Sequence, residues 1–140
     1  MKYFDVDRLK QIFFNYFTNK CGYVKIAGSS LVPTSDNSVL FTPAGMHPLI
    51  PYLTGIEKHP NGNKLVNIQN VVRTGAINKV GESSFLTFFE LFGGWVIGKY
   101  NKQDAIFDVW EFLTKILEIP EEKLYIINKS KKNKTIIGYK

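Results

Sequence analysis

The chain has 140 residues, 44% hydrophobic and 14% aromatic, which suits one domain with a real core and excludes a largely disordered polymer. Its 18 basic and 12 acidic residues give a net charge of +6, and the excess is at the end. Residues 129–140 hold Lys129, Lys131, Lys132, Lys134, Lys140 and no acid, while residues 1–128 hold 13 basic against 12 acidic groups, so the body is close to neutral and the tail is basic, either a solvated terminus or a contact for a polyanion such as RNA.

In chain order, Asp5 or Asp7 can cap a first helix whose Leu9, Ile12, Phe13, Tyr16 and Phe17 recur at helical spacing, and Gly22 ends it. A short strand is expected over Tyr23–Ile26, then a loop rich in Gly, Ser and Pro to Ser38. Val39–Thr42 reads as a strand. The segment after it, PAGMHPLIPYLTG, is apolar but interrupted by Pro43, Pro48 and Pro51, which forbid a long regular helix. Its Met46, Leu49, Ile50, Tyr52 and Leu53 suit an irregular docking surface.

LVNIQNVVR (Leu65–Arg73) and FLTFFELF (Phe85–Phe92) predict two antiparallel strands, with Gly93 and Gly94 as a break and Trp95–Ile97 rejoining the sheet. Gln103–Leu117 is a helix with a stripe of Ile106, Val109, Trp110, Leu113, Ile116 and Leu117, stopped by Pro120. A last strand, Leu124–Ile127, precedes the basic tail. Helices mixed with antiparallel strands make the class α+β.

Two of the 18 basic residues are arginines, Arg8 and Arg73. A lysine-based chain that places Arg73 at a strand end has a use for planar, bidentate binding of phosphate or carboxylate. His47, His59 and Cys21 are too scattered for a metal site, and Gly93–Gly94 lacks the rest of a phosphate-binding P-loop. No run is long enough to cross a bilayer, the N-terminus has no signal-type apolar stretch, and Cys21 is alone, so a cytoplasmic location is expected.

SSLVPTSDNSVLFTPAGM, QNVVRTG and TFFELFGGWVIGKYNKQDAI, in that order, resemble the N-terminal catalytic region of alanyl-tRNA synthetase, a class II synthetase, from about Leu9 to Tyr125. The resemblance implies a partial class II antiparallel sheet flanked by helices over residues 1–128, followed by the tail at 129–140. It makes Ser30–Leu53 motif 1 and the two strands motif 2. It implies an ATP site, with magnesium, in which Arg73 holds the α-phosphate as the catalytic cation. Phe88 or Phe89 would stack on adenine, with Glu90 and Lys79 as further nucleotide contacts. By the same resemblance, Ser38–Gly55 would face a second polypeptide or a second copy of the chain; the clustered lysines of the tail would touch tRNA.

Some residues depart from the family pattern. The loop after Arg73, GAINKVGES, is shorter, and Phe85–Leu86 stand where the family has two histidines. The motif 3 arginine and the amino-acid-holding aspartate are expected beyond LYII. Two readings follow: an incomplete or degenerate alanine-activating protein, or a non-catalytic paralogue that binds protein or tRNA. A third is a folded but idle gene remnant.

Overall fold

A computed structural model describes residues 3–34, 38–75, 77–82, 85–129 and 134–140. The chain forms two compact units, Phe17–Tyr100 and a unit that joins Met1–Tyr16 with Asn101–Lys140. Helices and mostly antiparallel strands confirm the α+β class.

The joined unit begins with α1 (Val6–Asn15). Asp5 caps it by accepting the Arg8 N–H at 2.7 Å, which satisfies a donor that the first helical turn leaves open. The chain then widens into a π turn, Tyr16–Lys20, and Gly22 takes the left-handed φ of +72° expected where a helix stops. The second helix of this unit, α3 (Lys102–Glu111), is capped by Asn101 and also widens into a π turn at Phe112–Ile116. It therefore ends as an α-helix earlier than the periodicity predicts.

Burial also departs from the expected stripe. Val109 is exposed, and Phe112, outside the stripe, is buried. The reason is aromatic packing: Phe112 meets Phe13 edge-on at 5.7 Å and Tyr16 at 5.4 Å. The Tyr16 hydroxyl donates to the Asp108 carbonyl at 3.0 Å and lies 2.9 Å from a Glu111 carboxylate oxygen. The unit closes with β4 (Leu124–Lys129) paired antiparallel to β5 (Lys134–Tyr139). Much of the basic segment is thus a strand, not a solvated terminus. Lys131 and Lys132 lie outside the described residues.

The other unit is built on a three-stranded sheet, with β2 (Lys64–Val72) central between β1 (Val24–Lys25) and β3 (Phe88–Val96). β1 runs parallel to β2, and β3 antiparallel with Val71 opposite Phe89 and Leu65 opposite Trp95. Leu65, Val66 and Val71 are fully buried, as a central strand requires.

Two sequence expectations fail here. Val39–Thr42 is not a strand: in it only Thr42 pairs with β2, through the Val72 N–H donating to the Thr42 carbonyl at 3.1 Å. Pro43 follows at once and offers no N–H to extend a ladder. Nor do Gly93 and Gly94 break β3, because the Trp95 ring lies flat over Gly93 and fills the space that a side chain would take. The proline-rich segment folds as two short turns, a 3₁₀ turn at His47–Leu49 and α2 (Ile50–Leu53), each with proline in its first turn.

Gly93→Ala would place a Cβ 2.5 Å from Trp95 Cζ2 and is expected to destabilise the protein by about 1–3 kcal/mol. In Gly94→Ala the new Cβ meets Tyr23 at 3.4 Å, an ordinary contact, so its melting temperature should stay nearer wild type. Thermal melts of the two variants side by side check this. Tyr16→Phe should cost about 1 kcal/mol through loss of the hydroxyl's bonds, read as a lower urea midpoint at unchanged slope.

Candidate functional site

The site forms where β2 ends. Strand alternation puts Asn67, Gln69, Val71 and Arg73 on one face of β2, with Phe89, Leu91, Gly93 and Trp95 of β3 on that same face. Two of these are buried amides: Gln69 has no exposed surface and Asn67 is 3% exposed. Buried amides must be hydrogen-bonded to be tolerated, and both are.

Asn67 accepts the Trp95 indole N–H at 2.8 Å, fixing the ring across Gly93, while Gly45 approaches the ring's other part. Gln69 clamps one backbone unit from both sides. Its Oε1 accepts the Ser29 N–H at 2.7 Å and its Nε2 donates to the Ser29 carbonyl at 2.9 Å. The strand edge beyond β1 is therefore occupied by the Gly28–Ser29 backbone; a Cβ on Gly28 would sit 2.7 Å from the Ile68 carbonyl.

Thr42, 1% exposed, ties the next piece down. Its N–H donates to the Leu31 carbonyl at 2.8 Å, its hydroxyl to the Ser30 carbonyl at 2.9 Å, and its own carbonyl accepts from Val72. Pro43 comes next, and its carbonyl accepts the Arg73 Nε–H at 2.8 Å. The backbone N–H of Arg73 donates to Thr87 on the opposite edge.

The guanidinium thus keeps one of its five N–H donors for the protein. Its Nη groups have no partner among the described residues. The group lies 5.3 Å over the Phe89 ring, a cation–π distance. It lines an open cavity of about 470 Å³ between Val39, Leu40, Phe41 and Pro43 on one side and Val72, Thr74 and Gly75 on the other, a volume within the usual range of small-ligand sites. The cavity has one cation and mostly apolar walls, a donor set that suits a ligand with a phosphate beside a flat, less polar body.

The other candidates are placed as follows. Phe89 shares the face and a contact with Arg73. Phe88 and Glu90 alternate to the opposite face, where Phe88 stands opposite Val72. Lys79 sits in a 3₁₀ turn, Ile77–Lys79, with its ammonium 5.3 Å over the Phe85 ring, and is not among the residues lining the cavity. Among the described residues no group of three or more His, Cys, Asp or Glu is placed to hold a metal ion. No helix of the described residues is long and apolar enough to cross a membrane.

Sequence reasoning missed Thr42, Gln69 and Asn67. A signal existed: in LVNIQNVVR, positions 67, 69 and 73 fall on one face of a strand whose other residues, Asn70 apart, are apolar. Polar residues on the buried side of a central strand mark either a clamp or a site, and here they are the clamp under one.

A family model described as tRNA synthetases class II (A) matches residues 8–140. Alanine--tRNA ligase of Treponema denticola is 50% identical over 121 residues, which cover 85% of this chain and 20% of that protein. The enzyme of the same name from Treponema pallidum is 53% identical over 108 residues, 77% of this chain and 18% of its own. That of Caldicellulosiruptor saccharolyticus is 39% identical over 125 residues, 89% and 14%. The chain spans a fifth or less of the length of these relatives. With its strand pair, its arginine at the strand end and this match across nearly its whole length, the chain belongs to the class II (A) family of tRNA synthetases, and its likeness is to alanine--tRNA ligases.

Proposed function

We propose that this chain provides the phosphate-holding half of an ATP-dependent amino-acid activation site, of the kind that alanine--tRNA ligases use for alanine. The observation that carries the reading is Arg73: one of two arginines, fixed by Pro43, stacked over Phe89 and lining a cavity, with no partner for its Nη donors among the described residues. ATP, with magnesium, would supply the electrophilic α-phosphorus for a carboxylate oxygen to attack, with the bond to pyrophosphate breaking as the new one forms. Arg73 would bind the α-phosphate through Nη and offset the charge that builds there. Because Nε is already bonded, little reorganisation is needed when the ligand arrives. Phe89 would hold the guanidinium plane from below, and its ring is the nearer candidate for adenine stacking than Phe88. Glu90 and Lys79 would contribute only from outside the Arg73 face.

The substitution of an apolar pair, Phe85–Leu86, before the second strand supports a weakened, degenerate form of the site. A second reading rests on a different observation. Leu40 is 84% exposed and Ile56 78%, and Phe41, Met46 and Ile50 are also exposed. Such a surface within Ser38–Gly55 and its flank favours a non-catalytic paralogue that docks a second polypeptide or a second copy. In either case Lys129, Lys134 and Lys140 on or beside the β4–β5 ribbon would serve a tRNA contact, and a cytoplasmic location fits the family.

Calorimetric titration with MgATP tests the main reading. Wild type should bind, and Arg73→Ala should lose about ten- to a hundredfold in affinity, the worth of hydrogen bonds to a charged group. Arg73→Lys should rescue only part of the loss, since lysine cannot make both the Pro43 and phosphate contacts. Equal heats for wild type and Arg73→Ala, or none from either, would refute it.

A further inference from the structure

We infer that Thr42 is a positioning residue for the Arg73 guanidinium, acting through the Pro43 carbonyl; the inference rests on the nucleotide reading above for its purpose but not for its test. Thr42 lines no part of the cavity and has almost no exposed surface. It is nevertheless bonded at three points: its N–H to Leu31, its hydroxyl to Ser30 and its carbonyl to Val72. The loop that receives two of those bonds is itself held by the Gln69 clamp on Ser29.

With both backbone groups and the side chain of Thr42 engaged, its torsions have no freedom. The next residue is proline, whose ring fixes its own φ near −65°. One soft torsion is left to set where the Pro43 carbonyl points. That carbonyl is the acceptor for Arg73 Nε. The path from Thr42 to the guanidinium therefore crosses one proline and one hydrogen bond. A serine at 42 keeps the hydroxyl bond. A valine fills the same space and leaves the Ser30 carbonyl without its buried donor, so residues 42–43 relax and the acceptor for Nε shifts.

The scarcity of arginine makes this measurable. The chain has two Nε–H groups of this type, Arg8 and Arg73, so nitrogen–proton correlation spectra carry two such peaks, and loss of one in Arg73→Lys assigns it. In wild type the Arg73 Nε–H should exchange slowly with solvent. Thr42→Val should raise its exchange rate by about tenfold, the equivalent of one hydrogen bond, and move the peak toward that of Arg8. Thr42→Ser should restore wild-type behaviour. Pro43→Ala, which alters no buried group, should loosen the same proton by freeing φ, and serves if the valine variant does not fold. Arg73 exchange that stays at the wild-type rate in Thr42→Val and Pro43→Ala overturns the inference. A parallel MgATP titration of wild type separates the two claims: a responsive Nε–H in a chain that binds no MgATP upholds the positioning and refutes the nucleotide reading.

Discussion

The end of β2 is held from both edges, and the candidate site exists because of it. On one side Val72 N–H donates to Thr42, and on the other Arg73 N–H donates to Thr87. A strand end ordinarily frays, since its last groups lack partners on one edge or both. Here the Thr42 carbonyl stands in for a neighbouring strand at the last step, and Pro43 turns the chain so that its carbonyl meets the Arg73 side chain. A long, flexible cation is thereby fixed by one short bond and one ring. Fixing such a side chain in the free protein removes much of the rotamer entropy, up to about 2 kcal/mol, that a ligand would otherwise have to overcome.

The same constraint explains the buried amides. Gln69 is wasteful as core filler, because a buried carboxamide costs stability unless all of its strong groups are matched. It accepts from Ser29 N–H and donates to two carbonyls, Ser29 and Asn70. Asn67 likewise carries the Trp95 indole. These amides hold the loop and the ring in place where small residues, Gly28, Gly45 and Gly93, permit close approach. Polar groups inside the sheet thus convert loop backbone into fixed scaffold around Arg73.

Strands β2 and β3 were legible in the sequence to within a few residues, as was the place of Arg73 at the end of the first. Their signal is local: runs of β-branched and aromatic residues with turn chemistry between them. The cap of α1 was legible for the same reason, since Asp5 needs only the N–H of Arg8. What was not legible depended on contacts distant in sequence. Gly93 reads as a breaker until Trp95 covers it. Val39–Thr42 reads as a strand until the partner edge proves to offer a single bond. Phe112 is buried because Phe13 and Tyr16 meet it, which no pattern within α3 announces. At the site, alternation placed Phe89 beside Arg73 and sent Phe88 and Glu90 to the other face, a distinction that the register decides and composition does not.

Native-state amide exchange at the junction of β2 and its two flanks tests most directly whether this strand end is preorganised. Val72 and Arg73 N–H should exchange as slowly as those of Val66 and Val71, through opening of the whole unit. Exchange of Val72 and Arg73 at the rate of exposed loop residues, while Val66 and Val71 stay protected, would contradict it, because the guanidinium would then stand on a frayed end with no fixed position to offer a phosphate.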